Sequence, residues 1–178
     1  MFEPAEGGIL ISSKYRRSTR LRSHDYCAAG AYFITLCTQD KSPLFGDVRN
    51  GKMQLSRMGE IVHEEWQRTQ SIRAEVELDV FQIMPDHFHA IVFLHEQGEQ
   101  ASIAPGTPAR NGLHRKPRSL GSLVAGFKCI ASKRINGLRR TPGVRVWQRN
   151  YYDRIIRSPR ALEMVRRYVR LNPRRWRG

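Results

Sequence analysis

The stretch FQIMPDHFHAIVFL, Phe81 to Leu94, decides how the rest of the chain reads. It is a long apolar run carrying two histidines one residue apart. Side chains on a strand alternate between faces, so His87 and His89 point the same way. Two imidazoles on one face are spaced to hold one metal ion, and a third ligand must come from elsewhere in the chain. The plainer role for the pair is to satisfy backbone or sheet neighbours. Pro85 and Asp86 make a corner before them. Val76 to Met84 therefore reads as one strand and His87 to Leu94 as the next, either as a single long strand or as a hairpin. Asp86 serves the turn or orients a histidine from behind.

Working upstream, Ser56 is placed as the N-cap of a helix whose apolar face is Met58, Ile61, Val62 and Trp66. Glu60, Glu64 and Glu65 read as solvated charges on its outer side, and His63 among them as a surface histidine. Asp40 to Leu55 is a loop or irregular hairpin, with Asn50–Gly51 as a turn signal. Ala31 to Gln39, AYFITLCTQ, is a strand rich in aromatic and β-branched residues. Tyr15 to Arg22, YRRSTRLR, is a basic arm that is either solvated or laid on nucleic acid, and Met1 to Ser13 is a loose leader.

Downstream, Glu96 to Lys116 is polar and rich in Gly and Pro, a long mobile loop ending in His114, Arg115 and Lys116. Ser119 to Leu138 is a second helix with the apolar stripe Leu120, Leu123, Val124, Phe127, Ile130 and Ala131. Its outer side is basic, with Lys128, Lys133 and Arg134, and Arg139 and Arg140 suit its C-terminal dipole. Val144 to Trp147 reads as a fourth strand and Gln148 to Ile156 as a connector. Ser158 and Pro159 open a last helix. Leu162, Val165 and Val169 form its buried stripe, and Met164, Tyr168 and Asn172 fall on an adjacent one. Pro173 stops it, leaving a tail of Arg174, Arg175, Trp176 and Arg177. Strand, helix, strand, strand is the first half of a ferredoxin-like split βαβ arrangement. The expected fold is α+β, a central antiparallel sheet with helices packed mainly on one face. The arm covers residues 1–25, the domain 26–173 with a mobile segment at 96–117, and the tail 174–178.

The 178 residues carry 31 Lys and Arg against 16 Asp and Glu, a formal net charge of +15. That excess argues for an anionic partner, with nucleic acid ahead of a membrane surface. Cys27, Cys37 and Cys129 show no CxxC spacing, which fits free thiols in a reducing cytosol. No apolar run reaches the roughly 18 residues of a membrane span. The expectation is a soluble, cytoplasmic, nucleoid-associated protein with no membrane partner.

Several motifs together resemble a known family. MPDHFHAIV is similar to the histidine–hydrophobe–histidine motif of the HUH single-strand nucleases. WQRNYYDRIIR followed by RRYVRLNP resembles the REP-associated tyrosine transposases, a branch of the insertion-sequence transposases with one catalytic tyrosine. YFITLCTQ, LSRMGEIVHEEW and SLGSLVAGFK extend the resemblance from about Tyr15 to Pro173. It implies the HUH version of the ferredoxin-like fold and a divalent ion, magnesium or manganese, on His87 and His89. It further implies attack by a tyrosine on a single-stranded DNA phosphate, leaving a 5′-phosphotyrosyl link. By the same resemblance Tyr168 is the nucleophile, with Tyr151 and Tyr152 as rivals, and Asn172 the third ligand, directly or through water. Asn172 departs from the glutamine of the insertion-sequence enzymes by one methylene. The implied partner is a palindromic DNA hairpin flanked by a single-stranded tetranucleotide, bound by a monomer or a homodimer. The residues expected to bind DNA are Arg16, Arg17, Arg20 and Arg22 from the arm, Lys128 and Lys133 from the second helix, and Arg174 and Arg175 from the tail. Trp176 or Tyr15 is available to stack on an unpaired base. Two other activities fit the same residues: a hairpin-binding protein without catalysis, and a metal-dependent RNA nuclease or small zinc hydrolase with no covalent step.

Overall fold

The structure is a computed structural model and describes residues 25–96 and 118–177. The arginines expected at 16, 17, 20 and 22, Tyr15, and the segment from Gln97 to Lys116 lie outside the described residues.

Four antiparallel strands form the main sheet: β1 (Gly30–Cys37), β4 (Val76–Ile83), β5 (His87–Leu94) and β6 (Tyr152–Ile156). Their spatial order is β4-β5-β1-β6. A small hairpin, β2 (Gly46–Arg49) and β3 (Lys52–Leu55), stands apart from this sheet. Three helices complete the fold: α1 (Arg57–Ile72), α2 (Leu120–Arg139) and α3 (Pro159–Arg175). This is the ferredoxin-like α+β arrangement, with one hairpin inserted after β1 and one helix added at the end.

The two faces of the sheet have different covers. Even-numbered residues of β1 and β5, including Tyr32, Ile34, Leu36, Phe88, Ala90 and Val92, face α1 and α2. There Trp66 meets Phe88 at 4.9 Å and Phe127 at 5.0 Å between ring centroids, in edge-on geometry. The opposite face carries Ala31, Phe33 and Ile91 under Val169, Val165 and Leu162 of α3. Two helices thus share one face, and α3 alone covers the other. Strand alternation places His87 and His89 on the α3 face.

A bulge in β4 adjusts the pairing. Leu78 pairs with Val92 and Phe81 with Ala90, so Asp79 and Val80 together oppose one residue of β5. The extra residue turns Asp79 toward α3, where Arg166 Nε donates to its carboxylate at 2.7 Å. The helix is thereby pinned along the sheet.

Several expectations need correction. Glu65 is buried, 4% exposed, and takes a 2.7 Å hydrogen bond from Arg134, which also donates to Glu64 at 2.6 Å. These groups tie α1 to α2 and are not all solvated. Val144 to Trp147 is not a strand: it makes one isolated bridge, Trp147 to Thr38, just past the end of β1. The fourth strand is β6, within the supposed connector, pairing Tyr152 with Thr35 and Ile156 with Ala31. Between these contacts β1 advances three residues and the other chain five. The two surplus residues leave the sheet, and Lys128 Nζ donates to the carbonyls of Gln148 and Asn150 at 2.9 and 3.0 Å. Pro173 does not stop α3, which runs to Arg175. Pro173 is buried one turn after Val169, and its fixed φ is helical. Asp40 to Leu55 resolves into the short helical turn Gln39–Lys41 and the β2–β3 hairpin, with Asn50–Gly51 as its turn.

Candidate active site

His89 and Thr35 are directly paired across β5 and β1. Their side chains share the α3 face, and Thr35 Oγ1 lies 2.8 Å from His89 Nδ1. Phe33, two residues earlier on the same face, stacks against the imidazole at 5.3 Å between centroids. His89 is 4% exposed. Burial, with His87 adding to it, lowers its pKa from 6.5 to about 3, so the ring is neutral at physiological pH. A neutral imidazole whose Nδ1 is occupied presents Nε2 as its free face.

His87 repeats the arrangement by a different route. Its ring lies 4.6 Å from that of His89. The Pro85–Asp86 corner is closed by the Met84 N–H donating to the His87 carbonyl at 2.8 Å. This sets Asp86 Oδ1 at 2.5 Å from His87 Nδ1. Asp86 is itself held: its carbonyl accepts from Thr38 N–H and Thr38 Oγ1, both at 2.9 Å. Lys41 Nζ stands 4.0 Å from its second carboxylate oxygen. Turn-making and histidine orientation are therefore one role for Asp86. Each histidine has a hydrogen-bonding partner on Nδ1, the pattern that fixes metal-ligating imidazoles.

From the last helix, Tyr168 Oη lies 3.4 Å from His89 Nε2. The tyrosine ring meets Phe33 edge-on at 6.1 Å and is 41% exposed, so the hydroxyl is packed from below and open from above. Just past the end of α3, Trp176 packs against His87 at 5.8 Å between ring centroids. Asn172 follows Tyr168 by four residues on α3, a spacing that shares one helix face. Two imidazoles and the amides of Gln82 and Asn172 are the donors carried by the elements of this face. No group of three His, Cys, Asp or Glu residues able to hold a metal occurs among the described residues. The donor set fits a divalent ion that accepts nitrogen and amide oxygen.

The rival tyrosines divide between the two faces, Tyr152 on that of the histidines and Tyr151 on the other. Tyr152 sits on β6 across from Thr35, with its ring edge-on to Phe33 at 6.4 Å. Tyr151 packs into the opposite core, with Lys128 Nζ 5.9 Å from its ring centre. Lys133 is exposed on α2, on the far side of the sheet from the histidines. Arg174 and Arg175 are exposed in the last turn of α3, beside Trp176. His63 is half-buried against Phe81 at 5.4 Å between centroids. The sequence reading overlooked Thr35, Phe33 and Gln82, which pairs with His89 from β4 on the same face. Only the strand register reveals them.

This fold defines a class. The chain overlays on a REP-associated tyrosine transposase solved bound to a REP hairpin, with a TM-score of 0.56 and 18% identity, covering 92% of this chain and 74% of that one. At that identity the likeness establishes a common fold. A candidate transposase of Deinococcus radiodurans overlays at a TM-score of 0.41 with 15% identity, over 84% of this chain and 94% of that one, too slight a likeness to argue from. No family model matches the sequence. Over 165 residues the chain is 35% identical to an uncharacterized protein of Haemophilus influenzae, covering 91% of this chain and 90% of that protein. The chain belongs to the same family as that protein.

Proposed function

We propose that this protein is a transposase-like nuclease and strand transferase acting on single-stranded DNA beside a palindromic hairpin, with Tyr168 as nucleophile. One observation carries the reading: the Tyr168 hydroxyl stands at the free nitrogen of His89, on a pair of histidines each held through Nδ1. His87 and His89, with Asn172 as third donor, would hold a divalent ion such as magnesium or manganese. When bound, such an ion supplies a Lewis acid for the phosphoryl oxygens.

The remaining work falls to the chain's own residues. Thr35 and Asp86 keep the imidazoles oriented, and Phe33 supports both His89 and Tyr168 from below. Tyr168 Oη loses its proton to water and attacks the scissile phosphorus. The new bond is Oη–P and the bond broken is P–O3′. The 3′ oxygen leaves and is protonated to a free hydroxyl. A 5′-phosphotyrosyl link keeps the energy of the broken ester, so rejoining needs no nucleotide cofactor. The net charge of +15 favours the polyanionic partner. The hairpin-bound fold neighbour supports DNA as that partner.

The test uses a labelled hairpin oligonucleotide with a flanking single strand, incubated with protein and manganese or magnesium. Cleavage that depends on the ion and disappears in His87→Ala and His89→Ala, with DNA binding retained, supports the reading. Full cleavage in a chelator would overturn it.

A further inference from the structure

The β2–β3 hairpin stands outside the main sheet, yet its position is tightly fixed. At its base, the buried Phe45 donates its N–H to the Pro85 carbonyl at 3.0 Å, next to the Asp86–His87 corner. Ser56, the N-cap of α1, donates its N–H to the Phe45 carbonyl at 2.9 Å and its hydroxyl to the Leu44 carbonyl at 2.7 Å. Two glycines permit this closeness. A Cβ on Gly59 would lie 2.2 Å from the Phe45 carbonyl oxygen, and one on Gly46 would lie 2.0 Å from that of Gln54. At its tip, Asn50 and Gly51 both have positive φ, 53° and 69°. That turn rests on α3: a Cβ on Gly51 would come within 3.3 Å of Arg174 Cγ and 3.6 Å of Arg174 Cα.

The hairpin thus spans from the corner that orients His87 to the helix end that carries Trp176 over His87. It adds little to the core: only Gly46, Val48 and Met53 of its strands are partly buried, among exposed neighbours. What it presents at the tip is charge. Arg49 and Lys52 are paired across the turn and exposed, and Arg174 lies beneath them. Lys52 and Arg174 have no acidic partner among the described residues. Arg49 has only the exposed Asp47 of its own strand, at 3.3 Å. An exposed pair of that kind contributes little and yields readily to another anion.

We propose that the hairpin tip, Arg49 and Lys52, forms with Arg174 and Trp176 the track that guides the single-stranded flank of the DNA toward His87. The cations contact successive phosphates and Trp176 offers a face for an unpaired base. The occupant is a single strand: the track ends at a half-buried tryptophan at the histidine pair, where a base must be unstacked. This assignment rests on the nuclease reading above, and its test is read in binding, separately from cleavage.

The experiment compares wild type with Arg49→Ala/Lys52→Ala on two probes, a hairpin with its single-stranded flank and the same hairpin without it. Arg68→Ala/Arg140→Ala, which removes two exposed charges from the α1–α2 layer, is the charge-matched control. Affinities are measured by fluorescence anisotropy across a salt series, with thermal unfolding to confirm the fold. Loss of each single-strand phosphate contact lowers the salt slope by about 0.7, so the double variant is expected to lose roughly 1.4 on the flanked probe. It keeps wild-type affinity for the unflanked hairpin. An equal loss on both probes, an unchanged slope, or the same loss in the control overturns the assignment. Wild-type protein that binds both probes but never cleaves would instead sink the nuclease reading and leave this one standing.

Discussion

His89 is set by three neighbours. Phe33 and the helix above keep it dry, Thr35 occupies Nδ1, and Tyr168 faces Nε2. Removing the Thr35 hydroxyl frees the ring to turn and to change tautomer. Thr35→Val should weaken manganese binding by about 10–100-fold, the range for lost partners of metal-ligating groups, while the fold survives. Calorimetric titration checks this, and unchanged affinity would mean that Thr35 does not orient the ring. Burial also makes His89 a pH-sensitive element of the metal-free protein. Its folded pKa, about 3, lies below the unfolded value near 6.5. The unfolded chain therefore takes up the proton first as pH falls. Its stabilising contribution is whole above pH 6.5 and is lost progressively toward pH 3. Urea midpoints measured across that window should fall with pH in the wild type and fall less steeply in His89→Gln. Parallel slopes would remove His89 from the account. The histidine pair was legible in the sequence because strand alternation is a local rule. Thr35 was not, because its place beside His89 depends on how β1 and β5 are registered, 54 residues apart in the chain.

Elements were legible where their signals were local. Ser56, Ser119 and Ser158 each accept from the backbone N–H three residues on, as N-cap chemistry requires. Val144 to Trp147 misled because its residues suit a strand while its backbone makes one isolated bridge, just past the end of β1. β6 was missed because polar residues precede it and its pairing partner lies far back in the chain. Glycines show how position decides an element's tolerance. Gly126 is exposed in α2, with nothing within 4 Å of a built Cβ. Gly126→Ala should stabilise the protein by about 0.5–1 kcal/mol, since alanine loses less backbone entropy in a helix. Gly59→Ala, driven into the Phe45 carbonyl, should destabilise by about 1–3 kcal/mol. Urea unfolding of both variants gives opposite signs on this account; equal effects would contradict the close approach of α1 to the hairpin base.

At the scale of the molecule, one sheet separates two tasks. The face under α1 and α2 holds most of the buried aromatic residues, centred on Trp66, and supplies stability. Trp66→Ala should cost about 3–5 kcal/mol in chemical unfolding, a large part of a domain's total. A small effect would mean that this core is looser than the packing indicates. The face under α3 holds the histidines, the tyrosine and the tryptophan, on a smaller apolar base. Composition made an anionic partner the expectation through net charge. It did not show which cations serve the site, because Arg134 and Arg166 are committed to Glu64, Glu65 and Asp79 within the fold. The chain had to bring its last helix back over the strand read first, and the contact of Tyr168 with His89 is where it does so. Mass spectrometry of the denatured protein, after incubation with hairpin DNA and manganese, tests the central claim. The account predicts a DNA fragment joined through its 5′ phosphate to the peptide containing Tyr168, and no such adduct in Tyr168→Phe. Cleavage that persists in Tyr168→Phe, or an adduct on Tyr151 or Tyr152, would contradict it.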